Sequence, residues 1–85
     1  FFYCDGTGHL MSKTTVCHEI LRQIRREKDS LTGFKVVVNA HPAICDMFQR
    51  EEKQALQRAS ARYSRQIVLQ ARKDYHLEQF DLIGQ

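Results

Sequence analysis

The chain has 85 residues, 42% apolar and 27% charged, with 13 Lys and Arg against 10 Asp and Glu for a formal charge of +3. That balance describes one small globular domain; it excludes a low-complexity or disordered chain and contains no apolar run long enough to span a bilayer. A domain of this length buries only about 60 to 65% of its unfolded surface, so modest stability is expected.

In chain order, Cys4-Asp5-Gly6-Thr7-Gly8 comes first. A thiolate followed by alternating glycines suits a metal turn, because glycine adopts backbone conformations that a Cβ forbids. One thiolate cannot hold zinc alone, which points to a larger protein or to a site shared between subunits. No secretory leader pattern is visible. The three cysteines, Cys4, Cys17 and Cys45, are odd in number and two fall in helical patterns, which reads as a reducing cytoplasm and not a disulfide framework.

Residues 8 to 12 suit a short strand or an extended lead-in, and Thr14 and Thr15 offer hydroxyls to cap a helix. Val16, Cys17, Ile20, Leu21 and Ile24 lay one apolar stripe along that helix, opposite His18, Glu19, Arg22, Gln23, Arg25 and Arg26. Leu31-Thr32-Gly33 is expected to close it, with Gly33 taking a left-handed turn. Residues 34–40 are β-branched and form a strand covered on much of both faces. His41-Pro42 ends the strand and opens the next helix, since proline in the first turn loses no needed hydrogen bond. Its stripe Ile44, Met47, Phe48 continues through Ala55, Leu56, Ala59 and Tyr63, while Glu51, Glu52, Lys53, Gln57 and Arg58 point to water. Periodicity leaves open whether this is one helix or two broken near Gln49. Residues 65–71 form a second strand and Phe80 to Ile83 a third, joined by a loop too long for a tight hairpin.

The expected fold is α+β, a small mixed sheet of three or four strands with two or three helices on one face, in the order (β)-α-β-α-β-β. The strands flanking the central helices should run parallel if they are neighbours, and the last two strands should pair antiparallel. This is a KH-like layout without a G-x-x-G loop. The aromatic strand pattern of an RRM is also missing, and Phe34 and Phe80 read as core.

Catalytic chemistry is hard to find. The ten acids read as helix surface or turn, with no convincing pair. Cys17 and His18 are adjacent and point about 100° apart on a helix, so Cys17 reads as a buried structural thiol. His41 and Cys45 are at a helical metal spacing, yet His41 precedes Pro42 and reads as a cap. Residues 50 to 74 carry seven Lys and Arg against three acids. Within that stretch Lys53, Arg58, Arg62, Arg65, Arg72 and Lys73 are candidate RNA-backbone contacts.

The chain resembles the C-terminal end of the ribonuclease E/G family over essentially its whole length. The resemblance rests on Cys4-Asp5-Gly6-Thr7-Gly8, on Thr15-Val16-Cys17-His18-Glu19-Ile20-Leu21-Arg22, on Glu51-Glu52 with Ala55-Leu56, and on Tyr75 followed by Glu78-Gln79-Phe80-Asp81. It implies a parent that is a magnesium-dependent single-strand endoribonuclease of bacterial RNA processing and decay, with its catalytic carboxylates upstream. It also implies an intersubunit zinc held by paired cysteines, of which only Cys4 has a counterpart here; Phe1 and Phe2 stand where the first cysteine and a proline are expected. Residues 1–12 then read as the remnant of a zinc-link turn with a lead-in, and residues 13–85 as a single small C-terminal domain, non-catalytic alone and without a cofactor of its own. Its implied work is subunit assembly in a homo-oligomer, with auxiliary RNA binding through the parent enzyme and no role at a membrane or on DNA. Two other readings compete: a free-standing KH-like RNA-binding module, and a protein interaction domain without RNA contact.

Overall fold

The computed structural model describes residues 12–85. Helix α1 (Lys13–Glu27) is followed by strand β1 (Lys35–Ala40), helices α2 (Pro42–Gln49) and α3 (Lys53–Tyr63), and strands β2 (Gln66–Ala71) and β3 (Phe80–Gly84). The α+β architecture is the expected one. The Cys4 turn and the lead-in strand lie outside the described residues.

The sheet order is β2-β1-β3. Parallel pairing sets Val36 against Ile67 and Val38 against Leu69, and antiparallel pairing sets Val38 against Leu82 and Ala40 against Phe80. The expectation that the last two strands pair with each other is therefore wrong. Strand β1 is buried from Val36 to Ala40, whereas β2 and β3 are half-exposed along their lengths. With β1 between the other two strands both of its edges are paired, and the long 72–79 connection lets the chain cross to its far side.

Val36, Val38 and Ala40 point to one face and pack with Val16, Cys17, Ile20 and Ile24 of α1 and Ile44, Cys45 and Phe48 of α2. Strand alternation sends Val37 and Asn39 to the other face, which carries none of these helices. No residue of α3 is fully buried; Leu56 and Tyr63 pack on the core only in part.

Several boundaries differ from expectation for local reasons. The N-cap of α1 is Ser12, whose Oγ accepts the Thr15 amide at 3.1 Å. Thr14 and Thr15 already lie inside the first turn. The helix ends at Glu27, before the Leu31-Thr32-Gly33 segment, but Gly33 does take the left-handed turn, at φ 81°. That conformation brings it against the chain end: a Cβ there would stand 1.8 Å from the Gln85 carbonyl oxygen. Lys35 and Gln85 exchange backbone hydrogen bonds of 3.0 and 2.8 Å beside it. Residues 50–52 separate α2 from α3. Phe34 is 85% exposed and is not core, because it sits one residue ahead of β1 where no helix covers it.

Candidate functional site

The six basic residues do not form one patch. The Arg65 guanidinium donates to the Leu31 carbonyl at 2.6 Å and ties the start of β2 to the loop after α1. Arg72 donates through Nε to Asn39 Oδ1 at 3.1 Å and through Nη2 to Gln70 Oε1 at 3.5 Å. Asn39 is the buried polar residue of β1, 2% exposed, so Arg72 satisfies an amide that would otherwise be costly to bury. Lys53 and Lys73 are exposed at the start of α3 and after β2. Arg58 and Arg62 remain, one turn apart on the solvent side of α3.

Two basic residues of α1 join them. A depression of about 360 Å³ between α1 and α3 is lined by His18, Leu21, Arg22, Arg25, Arg62 and Tyr63. A second, of about 600 Å³, is lined by Ala55, Arg58, Ala59, Ala61, Arg62 and Tyr63. Arg62 and Tyr63 are common to both, and no carboxylate lines either. Nearby, Glu19 takes Arg22 at 3.4 Å, and Glu52 Oε1 lies 3.0 Å from His18 Nε2. Glu52 is thus drawn into the helix-helix contact and does not point freely to water.

Several acids are engaged singly. Asp46 pairs with Arg50 at 3.0 Å, and Asp81 accepts a hydrogen bond from the Tyr75 hydroxyl, which raises the Tyr75 pKa. Among the described residues, no three of His, Cys, Asp and Glu gather into a group that would hold a metal ion.

The two described thiols are structural. Cys17 is fully buried on α1, and burial, reinforced by the negative charge of Glu52, pushes its thiol up to about 11. Cys45 is likewise raised by burial and lies 3.8 Å from the Ala40 carbonyl oxygen. Raised pKa values keep both protonated at neutral pH, the opposite of what a nucleophile or zinc ligand needs. His41 is the N-cap of α2: its Nδ1 accepts the Ala43 amide at 3.0 Å, as its position before Pro42 leads one to expect.

Beyond the basic cleft, the helix-free sheet face has its own character. Val68, Val37 and Ile83 stand side by side across β2, β1 and β3. Ile83 is 44% exposed, and Lys35, Gln70 and Gln85 line the shallow depression around the row.

The three-stranded mixed sheet with helices on one face defines a small α+β domain whose described thiols, Cys17 and Cys45, are both free and buried in its core. The family described as "RNase E/G, Thioredoxin-like domain" matches residues 2–84, and the chain belongs to it. The thioredoxin-like description applies to the domain; with cysteines only at 4, 17 and 45, the chain has no C-x-x-C motif. Ribonuclease G of Salmonella typhimurium is 32% identical over 80 residues, that of Escherichia coli strain K12 31% over 80, and that of Haemophilus influenzae 30% over 81. Each match covers 94% of this chain but only 16% of the relative. Among the described residues no helix is long and apolar enough to cross a membrane.

The convergence of Arg22 and Arg25 with Arg58 and Arg62 escaped the sequence reading. Their helical spacings were visible, but nothing in the chain pattern says that α1 and α3 lie side by side.

Proposed function

We propose that this chain is the C-terminal small domain of a cytoplasmic single-strand endoribonuclease of the E/G family, non-catalytic by itself, whose main task is subunit assembly and whose second is auxiliary contact with RNA. The observation that carries assembly is the helix-free sheet face. A row of valine and isoleucine rimmed by Gln70, Gln85 and the single charge of Lys35 is apolar at its centre, the composition of a protein contact more than of a phosphate contact. Because the face carries one lysine at its edge and an apolar centre, a second copy of the same chain meets little charge repulsion there, so another subunit of the same protein is the proposed occupant.

The lack of catalysis is supported by how these acids are used, since Glu19, Asp46, Glu52 and Asp81 are each paired on the surface, with Arg22, Arg50, His18 and the Tyr75 hydroxyl. Magnesium, where the intact enzyme uses it, is assigned to carboxylates outside this chain. An intersubunit zinc would draw on Cys4 and on ligands from elsewhere, because Cys17 and Cys45 are committed to the core. Replacing Ile83 by Lys in the intact protein tests the assembly role. Light scattering after gel filtration should show a smaller species than the parent at equal concentration; an unchanged mass would remove the sheet face from the interface.

A further inference from the structure

We infer that the cleft between α1 and α3 is a binding site for the backbone of single-stranded RNA, with Tyr63 as a platform for one base. The inference rests on the reading of the parent as an enzyme that acts on RNA, and it locates where this domain would touch the strand. Arg22 and Arg25 are three residues apart on α1, and Arg58 and Arg62 four apart on α3, so each pair presents two guanidinium groups about one helical turn, roughly 5.4 Å, from each other. That separation is close to the spacing of consecutive phosphates along a nucleic-acid strand. The two depressions share Arg62 and Tyr63, so a strand following the cleft would pass from the α1 pair to the α3 pair across the tyrosine.

Charge and shape favour nucleic acid over an acidic protein segment. Arg25, Arg58 and Arg62 have no carboxylate partner among the described residues, and Arg22 has only the exposed pairing with Glu19. Guanidinium forks bind phosphate oxygens bidentately and lose little hydration in doing so. Tyr63 is half-buried, fixed against the core on one part and open to both depressions on the other. A rigid, half-exposed aromatic among arginines is what sequence-tolerant single-strand binding uses, a base on the ring and phosphates on the cations. By contrast Arg65 and Arg72 are consumed by internal hydrogen bonds and are excluded from the site.

The test uses the intact protein in EDTA, where cleavage is suppressed, and a fluorescein-labelled oligouridylate of about 12 nucleotides, within the range of single-strand site sizes. Affinity is measured by anisotropy across a salt series. Arg25→Gln with Arg62→Gln should weaken binding about 5- to 10-fold at 0.1 M salt and flatten the slope of log K against log salt by about 1.4, at about 0.7 per lost phosphate contact on a single strand. Tyr63→Leu should weaken binding about 5-fold with little change of slope, whereas Tyr63→Phe should bind as the parent does. A 4-thiouridine version of the oligonucleotide should crosslink to the peptide containing residues 58–65. If Lys53→Gln with Lys73→Gln flattens the slope and the arginine pair does not, the domain touches RNA elsewhere and the cleft is wrong while RNA contact stands. If no variant alters affinity or slope and no crosslink falls in residues 12–85, RNA contact by this domain fails altogether. If the arginine pair leaves RNA affinity intact but changes the oligomer, the cleft is a protein contact.

Discussion

Truncating Ile20 to alanine should unfold much of what holds α1 to the sheet. The side chain is fully buried among Val36, Val38 and Phe48 of the same core. Removing three carbons at about 0.8 kcal/mol each forfeits about 2.4 kcal/mol of transfer free energy. A cavity that collapses only in part adds about 0.5 to 2 kcal/mol, at about 24 cal/mol per Å³ of space left. The sum, about 3 to 4 kcal/mol, compares with roughly 4 to 13 kcal/mol for a chain of 85 residues at about 0.05 to 0.15 kcal/mol per residue. The melting temperature should fall by about 12 to 30 °C. Urea titration followed by circular dichroism, with Arg26→Ala as an exposed comparator within about 0.5 kcal/mol of the parent, reads this directly. An Ile20→Ala midpoint that matches that of Arg26→Ala would show that this face of α1 is not packed on the sheet, and the core described above would be wrong.

The remaining expectations concern the chain end, a cap and a thiol. Gly33→Ala should cost more than about 1 kcal/mol, because the left-handed φ of 81° opposes a side chain and the new Cβ meets the Gln85 carbonyl; hydrogen exchange at the Lys35 and Gln85 amides should quicken, and unchanged protection there would count against the clasp. His41→Ala should lose about 1 kcal/mol of α2 capping while His41→Asn, which restores an acceptor before Pro42, recovers most of it in the same melt; equal losses would mean that the Nδ1 bond contributes nothing. Cys17 gains stability from staying protonated when folded: the contribution is complete below the unfolded thiol pKa near 9 and is lost as pH rises from there through the folded value of about 11. Iodoacetamide at pH 8 should therefore leave Cys17 unmodified in the native domain and label it once urea unfolds the chain, as peptide mass spectrometry would report; rapid native labelling would place the thiol outside the core.

Local pattern by itself determined a good deal of this protein. The 3.6-residue stripe Val16, Cys17, Ile20, Ile24 put α1 on the core, the β-branched run placed β1, and His41-Pro42 started α2, because each depends on neighbours within a turn or a strand. The quoted family motifs pointed to the family whose description matches residues 2–84. What the tertiary structure decided was pairing. Adjacent strands in sequence suggested a terminal hairpin, yet β1 took the middle: the crossover through α2 and α3 sets β2 parallel beside it, and the long 72–79 connection carries β3 to its other edge. Tertiary contact also sorts the basic residues. In sequence Arg58, Arg62, Arg65 and Arg72 look equivalent, but the buried Asn39 side chain and the part-buried Leu31 carbonyl recruit two of them into the fold. Side-by-side packing of α1 and α3 then joins the other two to Arg22 and Arg25 around Tyr63, a contact between residues some forty positions apart that no local periodicity encodes.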